Sequence, residues 1–532
     1  MSSKQIPTLS RRELLAMIGT VAGSAVSYRA MASMGLIEES TYNGPVKLEG
    51  SPKGASVLIL GSGIAGMVSA MELRNAGYKV KVLEYNNRAG GRNWSIRGGD
   101  VYTELGGFTQ KCEFDKGLYI NPGPWRLPYN HHGILDYCRR LGVALEPFVQ
   151  LNYNAYVHNT QAFDGKPQRY REIAADWSGQ VAELFSKVTK QKKLDELMSA
   201  HDQEALLESL RSWGALDRNL KYVPGRESSN RRGYEKPPGG GLDAAPIYSK
   251  DFIDLPDILH SGLWSAIGTA EAFYHQTSIF QPVGGMGRIG EAFGRELADV
   301  IQYNSKVVKI HQDNDKVAVT YVDPKTGGNP RTVTADYCLC TIPLSVLSQI
   351  ELNVSPQMQA AINAVPYSAS VKVGLQFKRR FWEQDEHIYG GITYTDMPIG
   401  NIGYPNTDYF KSGKGVVLGA YVHGRNAFEW TAMSPAERVR TAVELGSKIH
   451  PQYKDEFENG VAVGWHRVPW TLGCAGSWSE EARAQHYENL CQIDNRFLVA
   501  GEHASYIPAW QEGAVTSAID AITRLHHKVV NS

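Results

Sequence analysis

A glycine-rich turn near the start of the sequence carries its clearest chemical pattern. Gly61, Gly63 and Gly66 form the spacing GxGxxG directly after the apolar run 56–60. The first glycine permits a tight turn, the second lets the backbone approach a pyrophosphate, and the third lets a helix pack closely on a strand. Glu84 follows 23 residues after Gly61, at a position from which a carboxylate binds a ribose hydroxyl. The pattern predicts a dinucleotide-binding site.

Three local elements must hold this turn in place. The run 56–60 is typical of a buried parallel strand, 67–75 indicates a helix that ends before Gly77, and 79–83 indicates a second strand. This order places a helix N-terminus at the turn, where its unpaired N–H groups donate to phosphate. The sequence therefore predicts an α/β protein with a βαβ unit at this point.

Composition and charge exclude several classes of protein. The chain of 532 residues has 55 basic and 55 acidic side chains. A nucleic-acid-binding protein would carry a basic excess, and an acidic disordered chain would carry an acidic one. The six cysteines do not have the spacing of a zinc site, and we expect no metal. Of the 53 glycines, 11 fall within residues 54–107, which favours a cofactor-binding segment there.

The first 32 residues have the features of an export signal. Ser10, Arg11 and Arg12 precede an apolar run over 14–26 that is too short to span a membrane, and small residues follow at 30–32. This order resembles a twin-arginine signal peptide, which exports folded proteins through the twin-arginine machinery to the periplasm or the medium. The alternative is an amphipathic N-terminal helix. No other segment is long and apolar enough to predict a stable membrane anchor.

The residues after Glu84 narrow the choice of dinucleotide. Arg88, Gly90, Gly91 and Arg92 complete a run of the form ExxxRxGGR. This run resembles the flavin amine oxidase family, which includes monoamine oxidases, polyamine oxidases and L-amino acid oxidases. The resemblance implies FAD as the cofactor.

Further segments resemble the same family in the expected order. They are 281–286, Val307–Val308, 340–344, 497–502 and 510–514. The resemblance implies a Rossmann-like FAD-binding domain of a two-domain, glutathione-reductase-like flavoprotein, a mixed-sheet substrate domain and a helical insertion. The predicted ranges are 54–110, 281–345 and 490–532 for FAD binding, 111–175 and 346–489 for substrate binding, and 176–280 for the helical domain. The implied cofactor-binding residues are Gly61, Gly63, Ile64, Ala65, Gly66, Glu84, Tyr85, Gly91, Arg92, Gly107, Val308, Gly501, Glu502, Gly513, Ala514 and Val515.

The segment 121–131 bears on the substrate. It resembles the GPxRxPxxH segment of L-amino acid oxidases, in which the arginine binds the substrate carboxylate, and Arg126 holds that place. A guanidinium binds a carboxylate in a bidentate fork, which a lysine does not reproduce. The alternative is a surface or purely structural arginine.

Other substrate-site residues follow from the same resemblance. It assigns Lys372 as a buried lysine that holds a water near the flavin, with a solvent-facing edge-strand lysine as the alternative. It assigns Tyr404 as the second carboxylate ligand and Trp510 as an aromatic wall beside the amine. The Ala509 carbonyl would accept from that amine. Ala475 stands where monoamine oxidases have a tyrosine, which opens room for a side chain and favours amino acids.

These residues predict an FAD-dependent L-amino acid oxidase. It would convert an L-amino acid and dioxygen to a 2-oxo acid, ammonia and hydrogen peroxide. The alternatives are an amino acid 2-monooxygenase that gives an amide, a polyamine or other amine oxidase, and a flavin-carrying binding protein without turnover. FAD is expected to be non-covalent, with covalent attachment at Cys474 as the alternative. A homodimer is the default assembly.

Overall fold

The computed structural model describes residues 40–191, 198–242, 244–276 and 278–531. The predicted signal peptide at 1–32 lies outside these residues. Within them the chain forms a mixed α/β fold, in which several sheets pack against helices. No helix in the described ranges has both the length and the apolar character that a membrane span requires.

The bounds of the elements are as follows. The α-helices span Ile64–Asn75, His132–Arg140, Tyr170–Lys190, Ala200–Trp213, Arg226–Arg232, Leu255–Ser261, Gly287–Glu296, Leu344–Leu347, Pro356–Asn363, Phe381–Gln384, Gly424–Ala432, Pro435–Gly446, Tyr453–Glu456, Glu480–Cys491 and Gln511–Asn531, with 3-10 turns at Phe163–Gly165, Leu263–Ala270, Phe273–His275, Trp465–Arg467 and Glu502–Ala504. The strands outside the two largest sheets span Ile96–Arg97, Val101–Thr103, Thr109–Lys111, Tyr119–Ile120, Leu145–Pro147, Tyr234–Lys236, Ile247–Tyr248, Phe280–Pro282, Lys306–Gln312, Val317–Val322, Arg331–Ala335 and Glu351–Leu352.

A five-stranded sheet carries the glycine-rich turn. Its strands lie in the order Ile301–Gln302, Lys79–Leu83, Ser56–Leu60, Tyr337–Cys340 and Phe497–Val499, and neighbouring strands are parallel. The central strand is buried, as its apolar run predicts. The helix after the turn begins at Ile64 rather than at the predicted residue 67, because Gly63 is already extended and the helix starts directly behind it.

A seven-stranded mixed sheet carries the predicted substrate-site lysine. Its order is Phe457–Gly464, Ser370–Phe377, Gly415–His423, Asn401–Gly403, Ile392–Thr395, Tyr156–His158 and Gln168–Arg169. All eight residues of Ser370–Phe377 are buried, and antiparallel neighbours flank this strand on both sides. Alternate residues of a strand face opposite sides of the sheet. Val371, Val373 and Leu375 therefore pack into one hydrophobic core, and Lys372 points to the other side.

Helices dominate the described residues between 170 and 275. Tyr170–Lys190 packs against Ala200–Trp213 and against Arg226–Arg232. A buried ion pair joins Tyr170–Lys190 to Arg226–Arg232, because Arg232 Nε donates to both carboxylate oxygens of Asp176 at 3.0 Å. This group of helices leads into the short turn Phe273–His275, whose side chains reach the candidate site described below.

A buried ion pair between Glu104 and Arg438 gives a direct test of the packing. Two hydrogen bonds of 2.8 and 2.7 Å join the guanidinium to the carboxylate, and both side chains are fully buried. Arg438→Ala leaves a desolvated carboxylate without its cation, so we expect the free energy of unfolding to fall by about 3–5 kcal/mol in urea denaturation. The exposed pair Arg425–Glu429 supplies the control, since Arg425→Ala is expected to cost at most about 1 kcal/mol. Equal losses in the two variants would contradict the buried geometry.

Candidate active site

The glycine-rich turn has the shape and the donors that a pyrophosphate needs. Gly61 has φ +98°, and a Cβ on Gly66 would lie 2.0 Å from the Gly61 carbonyl oxygen, so both positions require glycine. A Cβ on Gly63 would meet no atom within 4 Å, so this glycine faces open space. The helix that begins with Ile64 and Ala65 has no side-chain cap and no acidic residue in its first turn. Its N-terminal N–H groups suit a phosphate anion.

Glu84 lies at the end of the neighbouring strand. One carboxylate oxygen accepts from the Ser62 amide at 2.7 Å and from its hydroxyl at 2.8 Å, and the other accepts from the Asn86 amide at 2.7 Å. These bonds fix a buried carboxylate beside the glycine turn, as ribose binding requires. Tyr85 follows it, and burial raises the pKa of its hydroxyl. Val308 lies at a bulge in its strand, outside the paired register.

An ion pair between Arg92 and Glu502 lies at the predicted cofactor site. Arg92 Nη1 donates to Glu502 Oε1 at 2.8 Å and to the Cys474 carbonyl at 2.7 Å. Burial acts to raise the pKa of Glu502, but Arg92, His503 and the hydrogen bonds to the carboxylate together outweigh it, and the pKa lies below its usual value. Gly91 lies directly against the turn, since its Cβ would be 3.1 Å from Gly63 Cα. The predicted phosphate and ribityl residues therefore lie together, with Arg92 paired to Glu502.

The N-terminus of the last helix, Gln511–Asn531, lies near this ion pair. Gly513 requires the absence of a side chain, because a Cβ would lie 2.2 Å from the Ile507 carbonyl oxygen. Ala514 and Val515 follow it and are buried. Gly501 has φ +153°, and its N–H donates to the Ser517 hydroxyl at 3.1 Å. The helix N-terminus thus lies near the Arg92–Glu502 pair, because the Ala509 amide donates to Glu502 Oε2 at 3.1 Å.

Gly107, another predicted cofactor residue, lies at the tip of a hairpin. It lies in the exposed turn of the hairpin 101–111, where its N–H donates to the Glu104 carbonyl. Gly106 and Gly107 have φ values of +97° and +86°. The hairpin turn accounts for both glycines, and the assignment of Gly107 to the cofactor stays a prediction.

Arg126 stands in a group of aromatic rings and imidazoles. Its guanidinium carbon lies 5.5 Å from the Trp125 ring centre and 5.9 Å from that of Trp510, and Nη2 lies 2.7 Å from His275 Nε2. His275 comes from the turn at the end of the helical segment, 149 residues along the chain. The structure therefore brings Arg126 and Trp510 together, as predicted, and adds His275, which sequence reasoning missed.

Lys372 lies beside this group and is 2% exposed. Its Nζ donates to the Gly123 carbonyl at 2.6 Å and lies 4.3 Å from the centre of the Tyr421 ring. Burial lowers the pKa of Lys372 to about 7, the Cys474 thiol opposes this shift, and Arg126 adds to it. The alternative of a solvent-facing edge lysine is wrong, because the strand has a neighbour on each side and the side chain is buried.

Tyr404 does not face the site. Its hydroxyl is buried with the Thr393 hydroxyl at 2.7 Å and His450 Nε2 at 2.6 Å, in the core on the opposite side of the sheet. The reason is strand alternation, since the preceding Gly403 faces Trp125. The assignment of Tyr404 as a carboxylate ligand is therefore corrected.

Tyr421, rather than Tyr404, lies beside Lys372 and Trp125. It pairs directly with Lys372 across two antiparallel strands, and its ring lies 6.0 Å from that of Trp125. Burial raises the pKa of its hydroxyl, the Cys474 thiol adds to the shift, and Arg126 opposes it, so Arg126 acts electrostatically on this hydroxyl. The signal in the sequence was the strand 415–421, but its register against Lys372 was needed to use it.

Two histidines add neutral imidazoles to the site. The centre of the His423 ring lies 4.2 Å from that of Tyr421, and desolvation, Lys372 and Arg126 together lower the pKa of His423 to about 4. His131 lies 5.0 Å from the Trp510 ring, and burial lowers its pKa to about 3. Neither nitrogen of His131 has a hydrogen-bond partner among the described residues. Both rings are therefore neutral at pH 7.

The backbone at Ala475 and Ala509 closes the site. The Ala475 carbonyl accepts from the Ser368 amide at 2.9 Å, and the Ala475 side chain is buried. Ala509 has the left-handed φ of +66°, which is uncommon outside glycine. The half-buried Cys474 precedes Ala475. Among the described residues no group of three or more metal-ligating side chains occurs.

Comparison with known proteins identifies relatives along most of the chain. The profile of the family described as "Flavin containing amine oxidoreductase" matches residues 64–525. A Bacillus subtilis protein, YobN, provisionally named an L-amino-acid oxidase, is 26% identical over 475 residues, which cover 87% of this chain and 93% of that protein. An L-amino-acid oxidase from Siganus canaliculatus is 27% identical over 491 residues, which cover 89% and 86%.

Solved structures show the same fold at lower identity. Cyclohexylamine oxidase from Brevibacterium oxydans superposes with a TM-score of 0.58 at 16% identity, covering 89% of this chain and 99% of that one. Putrescine oxidase bound to putrescine gives a TM-score of 0.57 at 16% identity, covering 90% and 99%. These structures share an overall mixed α/β fold with the chain.

Proposed function

Since the chain belongs to the flavin-containing amine oxidoreductase family, we propose that it oxidatively deaminates L-amino acids to 2-oxo acids, ammonia and hydrogen peroxide. Family membership implies a flavin cofactor. The L-amino-acid oxidases among the relatives support amino acids as substrates. Dioxygen is the second substrate.

The observation that carries this proposal is the position of Arg126 beside Lys372. Both side chains lie within 6 Å of the Trp125 ring centre, and Tyr421 lies beside them. A guanidinium and a hydroxyl together bind a carboxylate, which an amino acid has and a simple amine lacks. A polyamine, which carries several positive charges, would be repelled by the cationic side chains of Arg126 and Lys372. The site thus favours amino acids over the amine substrates of the alternative.

The cofactor is FAD, bound without a covalent bond. Gly61, Gly63 and Gly66 would cradle the pyrophosphate, Glu84 would bind the ribose, and the last helix would point its N-terminus at the flavin. The five-stranded sheet is then a Rossmann-like domain of the glutathione-reductase type, and the domain ranges predicted from the sequence stay predictions. Release of FAD on acid denaturation, followed by mass spectrometry of the protein, separates this from attachment at Cys474.

The residues of the chain supply binding, orientation and proton control. Arg126 and Tyr421 hold the substrate carboxylate and so fix the hand of Cα. Trp510 walls the amine, and the Ala509 carbonyl accepts from it. Lys372, with a pKa of about 7, exchanges its proton with water near neutral pH. Bound FAD would supply the redox chemistry, which is the two-electron oxidation of the amino acid at Cα and the reduction of dioxygen to hydrogen peroxide. The imino acid then hydrolyses to the 2-oxo acid and ammonia.

A substrate survey tests the proposal. Peroxide, ammonia and 2-oxo acid are measured with L-amino acids, D-amino acids, polyamines and monoamines. We expect stoichiometric peroxide and ammonia from L-amino acids alone. Amide and carbon dioxide instead would indicate the monooxygenase, and turnover of amines would indicate the amine oxidase. A flavin that no substrate bleaches without oxygen would indicate a binding protein.

The two tyrosines give a paired prediction. Tyr421→Phe removes a hydroxyl that we place at the carboxylate, so KM should rise roughly tenfold, since a hydrogen bond to a charged group contributes about 1.5–3 kcal/mol. Tyr404→Phe removes a hydroxyl from the opposite core, so it should lower Tm and leave KM unchanged. Steady-state kinetics and thermal unfolding of both variants check this. A raised KM in Tyr404→Phe alone would restore the original assignment.

We further propose export in folded form through the twin-arginine machinery. The support is the sequence of residues 1–32, which lie outside the described residues. Replacing Arg11 and Arg12 by lysine should retain the protein in the cytoplasm, as cell fractionation would show. The homodimer also stays a prediction.

A further inference from the structure

The indole of Trp125 touches both cations of the substrate site. The Arg126 guanidinium carbon lies 5.5 Å from its ring centre, and Lys372 Nζ lies 5.4 Å from it. Tyr421 meets the same ring edge-on at 6.0 Å. A cation within about 6 Å of an aromatic ring centre is attracted by the ring quadrupole. One side chain is therefore the common neighbour of the carboxylate-binding arginine and the lysine.

The Trp125 ring packs closely against its neighbours. A Cβ on Gly403 would lie 2.2 Å from Trp125 Cζ2, so the indole packs against bare backbone there. Phe148 meets the ring edge-on at 5.5 Å. The distances explain why glycine stands at position 403, where φ is ordinary and no turn demands it. The ring is fixed by this packing.

A cavity of about 70 Å³ adjoins the ring. Trp125 lines it together with Ile120, Asn121, Asn406 and Val416, among other residues, and Lys372 is not part of its wall. The Asn121 carbonyl, however, accepts a hydrogen bond from Lys372 Nζ at 3.3 Å. The indole thus borders both a partly polar cavity and the buried amine.

We propose that Trp125 is a positioning residue that holds Arg126 and Lys372 at a fixed spacing and shields Lys372 from the adjoining cavity. The inference rests on the proposed amino acid oxidase activity, in which these two side chains serve one substrate. Carboxylate binding and proton exchange at Lys372 are then coupled through a single ring. Loss of the ring should disturb both together, which loss of stability alone would not do.

Three variants test the coupling. Trp125→Ala removes the ring and joins the cavity to the site. We expect the Kd of benzoate, a carboxylate without an amine, to rise about tenfold, the loss of roughly one cation–π contact. Burial lowers the pKa of Lys372 from 10.5 to about 7, which is more than the roughly one unit that the loss of one cation–π contact would take away. Opening the site to the cavity should therefore raise the pH midpoint of kcat and of the flavin absorption by about one unit. Trp125→Phe keeps an aromatic face and should restore both values. Gly403→Ala displaces the intact ring and should change both in the direction of Trp125→Ala.

The control is a tryptophan in the opposite core. Trp430 is buried there, so Trp430→Leu should lower Tm without changing benzoate binding or the pH midpoint. The proposal is overturned if Trp125→Ala changes Tm alone, or if only one of the two readouts moves. If Trp125→Ala does not fold, Trp125→Phe and Gly403→Ala decide by the same two readouts. A wild type that oxidises no amino acid would sink the proposed function, whereas benzoate binding and the flavin titration would still report on Trp125.

Discussion

Gly66→Ala is expected to abolish flavin binding, and oxidase activity with it. The added Cβ would lie 2.0 Å from the Gly61 carbonyl oxygen, a distance at which something must shift. The turn cannot shift freely, because the Gly61 N–H donates to the Leu83 carbonyl at 2.8 Å and Thr341 Oγ1 would lie 3.0 Å from the new atom. Displacing the helix from the strand moves the N–H groups that would hold the pyrophosphate. The ratio of flavin to protein absorbance after reconstitution with excess FAD measures the loss.

Two other glycines make this experiment specific. Gly240 lies in an exposed loop where a Cβ meets no atom within 4 Å, so Gly240→Ala should bind flavin as wild type does. A Cβ on Gly63 also meets no protein atom, so Gly63→Ala should fold normally. It should nevertheless weaken FAD binding, because we place the pyrophosphate in that space. Full flavin occupancy in Gly66→Ala would contradict the cradle, and full affinity in Gly63→Ala would contradict the position of the phosphate.

Patterns confined to short stretches predicted the fold best. The strand 56–60, the glycine turn and the strand 79–83 are all present, because each depends on neighbours close in sequence. The predicted start of the helix, residue 67, lies three residues after the observed start at Ile64, since the glycine turn runs directly into the helix. Local patterns do not decide the role of Gly107, because a hairpin turn and a cofactor contact both favour glycine.

Contacts between distant segments explain what the sequence did not predict in the site. Lys372 and Tyr421 lie in separate strands, and only their register brings them opposite each other. Without that register the resemblance favours Tyr404 as the carboxylate ligand. Strand alternation, however, places the Tyr404 hydroxyl on the face of the sheet opposite Lys372. His275 reaches Arg126 from the helical segment across 149 residues. A motif therefore predicts which kinds of residue form the site, whereas the register and packing of distant segments determine which individual residues do so.

Arg126→Ala should lower kcat/KM for L-amino acids by roughly 100- to 1,000-fold. The guanidinium is held by Trp125, Trp510 and His275 in a site that already contains the buried Lys372. Removing one partner of a desolvated charge pair costs about 2–5 kcal/mol, and about 1.4 kcal/mol corresponds to a factor of ten. Arg126→Lys should recover only part of the loss, because an ammonium lacks the bidentate fork. Steady-state kinetics with the best L-amino acid measures both variants.

The decarboxylated amine of the same amino acid separates carboxylate binding from general damage. It lacks the group that Arg126 binds, so its weak turnover should not fall in Arg126→Ala and should rise once a repelling cation is gone. Arg496 offers a matched control, since it stacks on Tyr337 at 5.3 Å at the opposite end of the strand from the cofactor turn. Arg496→Ala should leave kcat/KM unchanged for both compounds. An equal fall for amino acid and amine in Arg126→Ala would show that the arginine organises the site rather than binding the carboxylate, and the preference for amino acids would then need another source.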